Sequence, residues 1–226
     1  MKTLIFDLDG TLVDSAPGIV ASLTHAVRAL GHDFTPSAGI THLLGPPMTQ
    51  VMAQLLMPYG DDRIDQGVEL YRTHYGRYGI SGSLAYPGIR QVIDSLTTQG
   101  YALYVATSKR QEFAERILSE TGLRGHFQSV FGTSPDGKLD DKSRLLDTLL
   151  AVEALRSESA CMIGDKRDDI VAAHQNGLLA IGVLWGYGTR AELIECGADK
   201  LVEQPTHLLD ALMRYLDDGA VPIDNN

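Results

Sequence analysis

Cysteine is nearly absent from this chain: Cys161 and Cys196 are its two thiols in 226 residues. They form no C-x-x-C pair, which excludes a disulfide framework and a thiolate zinc site. Cys161 sits in an apolar run and reads as a small buried hydrophobe rather than a nucleophile. No apolar run is long enough to cross a bilayer. The apolar stretch after Lys2 is broken at once by Asp7 and Asp9, so no targeting signal is legible there. A cytoplasmic protein with no membrane partner is the expectation. Clusters of Lys and Arg are missing too, which argues against a nucleic-acid footprint. The seven histidines fall into no H-x-x-x-H or similar ligand set and are assigned to surface and core.

What the chain has is acid and apolar bulk. It carries 29 acidic against 19 basic residues, a formal net charge of −10. An acidic protein that handles a phosphorylated ligand repels it on average, so a local cation has to reverse the sign at the site. Apolar residues make up 44%, enough for a real core, and the length suits one large domain or a core with an insert. Oligomeric state is not legible.

Short apolar runs alternate with amphipathic stretches, the pattern of a parallel sheet covered by helices. The spacing predicts strands over 3–8, 102–107, 129–131, 160–163, 179–183 and 200–202. Helices are predicted over 89–99, 112–121, 143–155, 170–176 and 206–216, with Gly100, Gly122 and Gly177 at their stops and Pro205 before the last. The interval 14–85 breaks the rhythm, with helical periodicity and no convincing strand. The expected architecture is α/β, a doubly wound parallel sheet with an inserted all-helical cap. Residues 1–13 and 86–226 would form the core and 14–85 the cap. The tail after Asp217 is expected to fray.

The first strand runs into FDLDGTLVDS. Residues two apart on a strand point the same way, so Asp7 and Asp9 project together at its carboxyl end, where open α/β sheets bind ligands. Gly10 lets the chain turn at that rim. Adjacent carboxylates repel unless a cation or a shared proton intervenes, so such a pair is costly without a purpose.

FDLDGTLVDS resembles the first signature of the haloacid dehalogenase superfamily, in its phosphoglycolate phosphatase-like and 5′-nucleotidase-like branches with a helical cap. VATSK resembles the second signature, with Thr107 as the phosphate-binding hydroxyl and Ser108 beside it. Lys142, in DGKLDDKSRLL, resembles the charge-balancing lysine and is preferred over Lys138. MIGDKRDDI resembles the acidic metal loop.

The resemblance implies Asp7 as nucleophile and Asp9 as general acid and base. It implies Mg²⁺ held by Asp7, Asp165 and the Asp9 backbone carbonyl, with Asp169 supporting the ion. A carboxylate nucleophile divides hydrolysis into two easier displacements, and octahedral magnesium suits such oxygens. The implied activity is a phosphatase acting on a small phosphorylated metabolite, with a slight lean toward a nucleoside 5′-monophosphate. A sugar phosphomutase and a non-catalytic phosphate-binding module stand as alternatives.

Other residues are read more plainly. Lys109, Lys166, Arg167 and Asp168 are expected at the surface without a role, and Arg72 and Arg77 on solvated helix faces. Leu44-Gly45-Pro46-Pro47-Met48 is either a specificity loop or a plain turn between helices. Trp185-Gly186-Tyr187-Gly188 is expected to pack against the core.

Overall fold

Alternation along the strands decides how the molecule is layered. In β1 (Thr3–Phe6), Leu4 and Phe6 face one apolar cluster while Ile5 faces another. β4 (Ala102–Arg110) divides Leu103 and Val105 from Tyr104 in the same way, and β6 (Ala160–Gly164) divides Cys161 and Ile163 from Met162. Both faces of the sheet are therefore buried, as a parallel sheet with helices on each side requires. The computed structural model of the chain describes residues 3–37, 39–134 and 137–217. The tail after Asp217 lies outside them.

The remaining strands are β5 (Ser129–Thr133), β7 (Leu179–Val183) and β8 (Lys200–Val202). All six pair in parallel in the order β5-β4-β1-β6-β7-β8, with Phe6 opposite Val105 on one side and Ile163 on the other. One face is covered by α4 (Ile89–Thr98), α5 (Gln111–Glu120) and α9 (Leu208–Asp217). The other is covered by α6 (Lys142–Val152), α7 (Arg167–Gln175) and α8 (Arg190–Glu195). Gly100 and Gly122 follow α4 and α5 with φ of 79° and 70°, a left-handed turn that glycine adopts without strain. Cys161 is fully buried and unpaired, and burial pushes its thiol pKa up, so it is a core residue as expected.

The six predicted strands are all present. The differences lie at their ends. β4 continues past Thr107 to Arg110 through an irregular register against β5, because Gly132 lets the two backbones close together. α7 begins at Arg167 rather than at 170. α6 begins at Lys142, where the Asp141 side chain accepts the Arg144 N–H at 2.9 Å and caps the helix.

The interval between β1 and α4 is helical: α1 (Ala16–Ala29), α2 (Met48–Leu56) and α3 (Ile64–His74), the last running into a π turn over Tyr75–Gly79. It is not free of strand. β2 (Val13–Asp14) pairs antiparallel with β3 (Leu84–Ala85) at the two crossings between sheet and insert. Two-residue strands are too short to show alternation, which is why the sequence pattern misses them.

Candidate active site

The sheet delivers its polar residues to one rim. Beyond Phe6, the Asp7 N–H still donates to the Ile163 carbonyl at 2.9 Å, so Asp7 is fixed by the sheet while its side chain leaves it. Asp165 follows β6 directly, and Asp169 lies in the first turn of α7. Carboxylate oxygens of Asp7, Asp165 and Asp169 lie within 4.8 Å of one another, and all three residues are buried. Glycines make the approach possible. A Cβ on Gly10, whose φ is 86°, would stand 2.3 Å from Asp165 Oδ2, and one on Gly164 would stand 2.2 Å from Asp169 Cγ.

Three buried carboxylates need compensation. Asp165 accepts the Tyr187 N–H at 2.7 Å and the Thr11 hydroxyl at 3.2 Å, and Asp169 accepts the Lys166 N–H at 2.9 Å. Lys142 sends its ammonium into the cluster, 2.7 Å from Asp7 Oδ1 and paired with Asp169. Burial pulls the Lys142 pKa down, and Asp169 and Asp7 more than offset it, so the net direction is up. One lysine does not balance the set. Burial raises the Asp7 carboxyl to about 7 against the opposing pull of Lys142, and burial with Asp169 and Asp7 as neighbours holds Asp165 well above the carboxylate range.

Asp9 stands apart from this cluster. Its Oδ2 lies 3.0 Å from Lys109 Nζ, and its Oδ1 accepts the Ser15 hydroxyl at 2.5 Å. Thr107 is buried on the same rim, with Oγ1 accepting the Lys109 N–H at 3.2 Å, and Ser108 lines the cleft. All seven residues singled out in the sequence therefore converge: Asp7, Asp9, Thr107, Ser108, Lys142, Asp165 and Asp169.

Several of the plainer readings need correction. Lys109 is buried, with its side chain 5% exposed, and donates to the Tyr75 hydroxyl at 3.0 Å as well as pairing with Asp9. The signal for it was available, since it lies two residues beyond Thr107 on one strand, as Asp9 does beyond Asp7. Lys166 is half-buried between Glu192, at 3.3 Å, and the His42 carbonyl of the insert, at 3.4 Å. Asp168 is half-buried as well, and burial raises its pKa. Arg167 is exposed with Glu195 at 3.5 Å, as expected of a surface charge. Arg77 is exposed and lies over the Tyr78 ring, but Arg72 is half-buried and lines the cleft.

Tyr187 does more than pack. Its hydroxyl accepts the Ser15 and Ala16 N–H groups at 2.9 and 3.0 Å and donates to Asp14 at 3.1 Å. With its N–H on Asp165, it thereby joins that buried carboxylate to the crossing into the insert. Trp185 Nε1 donates to the Thr11 carbonyl at 2.9 Å.

The cleft between sheet rim and insert encloses about 740 Å³, part of it open to solvent. Its floor is Asp7, Asp9 and Thr107. Its roof is apolar, from Leu44, Pro46, Pro47 and Met48, and its flank carries Arg72 and Arg110. Arg110 Nε is buried without a hydrogen-bond partner. Burial, and then Arg110 itself, lowers the Arg72 pKa.

A family model for haloacid dehalogenase-like hydrolases matches residues 4–183. The chain is 36% identical over 206 residues to the 5′-nucleotidase of Pseudomonas aeruginosa, covering 90% of this chain and 89% of that protein. It is 36% identical over 194 residues to the tyrosine-protein kinase PtkA of Mycobacterium tuberculosis, covering 86% of this chain and 65% of that one, a little under two thirds of the kinase's length. The crystal structure of a predicted phosphatase from Clostridium acetobutylicum superposes with a TM-score of 0.88 at 31% identity, over 94% of this chain and 98% of that one. Matched by that model through most of its length, the chain belongs to the haloacid dehalogenase-like hydrolases.

Proposed function

We propose that this protein is a magnesium-dependent phosphatase that hydrolyses a small phosphomonoester through a phosphoryl group carried on Asp7. The supporting observation is the placement of Asp7, 2.7 Å from Lys142, in a cleft that Asp9 and Thr107 also line. Three buried carboxylates sharing one lysine, two of them pushed toward their protonated forms, suit a hard divalent cation with oxygen ligands. Asp7, Asp165 and the Asp9 carbonyl would hold it, with Asp169 in support. When bound it supplies positive charge to the phosphoryl oxygens.

The chain's own residues do the rest. Asp7 attacks phosphorus as the ester P–O bond breaks, and Asp9 hands its proton to the departing alkoxide. Asp9 then takes a proton from water as that water displaces Asp7, and phosphate leaves. Thr107 and Lys142 hold the phosphoryl oxygens, the positioning and charge compensation that phosphoryl transfer needs. We assign residues 1–13 and 86–226 to the catalytic core and 14–85 to a cap that closes over the substrate. Among the described residues no helix is long and apolar enough to cross a membrane, and the proposed setting is cytoplasmic.

Arg72 and Arg110 favour a substrate with a second anionic group, as in phosphoglycolate, over the nucleoside 5′-monophosphate that the sequence suggested. The apolar roof keeps the nucleotide in contention. Release of inorganic phosphate from a panel of both kinds, with and without magnesium, tests the reading. Turnover should disappear with EDTA and return with magnesium. An isomerised product in place of free phosphate would instead indicate a mutase.

A further inference from the structure

We propose that Lys109 is a positioning residue that ties the orientation of Asp9 to the presence of the cap, through Tyr75. The inference rests on the phosphatase reading above and adds to it a residue to which the proposed mechanism gives no part.

Lys109 is a buried cation with its bonds divided between two parts of the chain. One partner is Asp9 on the sheet rim, 3.0 Å away. The other is Tyr75, whose hydroxyl accepts from Nζ at 3.0 Å and whose ring centroid lies 4.3 Å from the same nitrogen. A desolvated ammonium needs partners for its three donors, and one of the two side-chain oxygens around Nζ is the Tyr75 hydroxyl, so Tyr75 helps to fix where Lys109 sits.

Tyr75 in turn belongs wholly to the insert. It is fully buried, opens the π turn at the end of α3, and is stacked on Tyr71 at 5.4 Å. Phe113 of α5 meets the same ring at 5.5 Å, tilted by 58°. A Cβ on Gly79 would stand 2.4 Å from its ring, so the π turn and that glycine together open the slot the ring occupies. π turns of this kind recur at functional sites.

Asp9 is thus held from both sides of the insert. Ser15, where the chain enters the insert, binds Oδ1, and Tyr75, near where it leaves, governs Oδ2 through Lys109. Displacing the insert would remove both restraints at once. The general acid and base is then correctly aimed only when the cap is seated.

Tyr75→Phe deletes the hydroxyl and keeps the ring, and Lys109→Met deletes the ammonium and keeps most of the stem. The readout is the phosphorylated fraction of Asp7 in acid-quenched, magnesium-loaded enzyme, by intact mass, with an aryl and an alkyl phosphate. A misaimed Asp9 should slow the second displacement, so phosphorylated enzyme should accumulate with the aryl substrate in both variants but not in wild type. With the alkyl substrate none should accumulate. kcat should fall about tenfold or more, part of the roughly 10²–10⁴ that acid–base help contributes, with KM changed less than threefold. The double variant should be no worse than Lys109→Met, because the tyrosine acts through the lysine.

Loss of turnover with no phosphorylated enzyme on the aryl substrate, or additive losses in the double variant, would overturn the proposal. Should Lys109→Met fail to fold, Tyr75→Phe alone decides by the same readout. A wild type inert toward both substrates would remove the phosphatase reading first, and this role with it.

Discussion

Tyr187 carries as much of the site's geometry as any charged residue. Its ring is buried, and its hydroxyl satisfies two backbone N–H groups at the entry to the insert while donating to Asp14. Tyr187→Phe keeps the shape and removes the acceptor of the Ser15 N–H, whereas the Ala16 N–H still donates to Asp14 at 3.1 Å. An unsatisfied buried group costs about 1–3 kcal/mol, so urea unfolding should show a loss of that order. A variant as stable as wild type would mean that water replaces the hydroxyl. Of the residues in this network, Asp7 and Asp9 were legible because strand geometry and mutual repulsion together demand a purpose for them. Ser15, Tyr75 and Tyr187 were not, since each acts through a contact between segments far apart in sequence, which a one-dimensional pattern does not contain. Lys109 lies between these cases. Its spacing from Thr107 was visible, but the average lysine is solvated, and burial is a property of the fold.

At the level of elements, the six strands and five of the covering helices followed from periodicity; α8 (Arg190–Glu195) did not, since six residues are too few to show a helical period, and the other differences lie at termini. β4 outruns its expected end because Gly132 in the neighbouring strand permits close approach, information that lies outside the segment itself. The loop Leu44–Met48 had two readings, and its prolines line the same cleft as Asp7 and Asp9. Pro47 has φ −53° and immediately precedes α2, so proline's restricted φ fits without strain. Replacing Pro46 and Pro47 by alanine should loosen the roof and change the ranking of kcat/KM among substrates more than it changes Tm. An unaltered ranking with a lower Tm would reduce the loop to a helix connector.

On the scale of the whole molecule, the net charge of −10 and the buried acid cluster point to one thermodynamic consequence. Without metal, Asp7 has its pKa near 7, whereas the unfolded chain returns it to about 4. Between those values the native state keeps a proton that the unfolded state has released. The stability from this group is therefore complete below about pH 4 and is lost as the pH rises through 7. Asp165 shifts in the same direction. The Tm of the metal-free protein should fall by several degrees between roughly pH 5 and 8, and magnesium held by the deprotonated carboxylates, as proposed above, should remove that fall. A metal-free Tm that climbs across the window would contradict the electrostatic picture.

The central claim, a phosphoryl group passing through Asp7 with Asp9 managing the protons, is tested most directly by Asp9→Asn. The variant is mixed with magnesium and an aryl phosphate, quenched in acid, weighed intact and mapped by peptide. A good leaving group scarcely needs a proton, so the first displacement should proceed while the second, lacking its base, stalls. One phosphoryl group should accumulate on Asp7, and Asp7→Asn should carry none. A phosphoryl group on another residue, or an Asp9→Asn enzyme that turns over normally without one, would contradict the account.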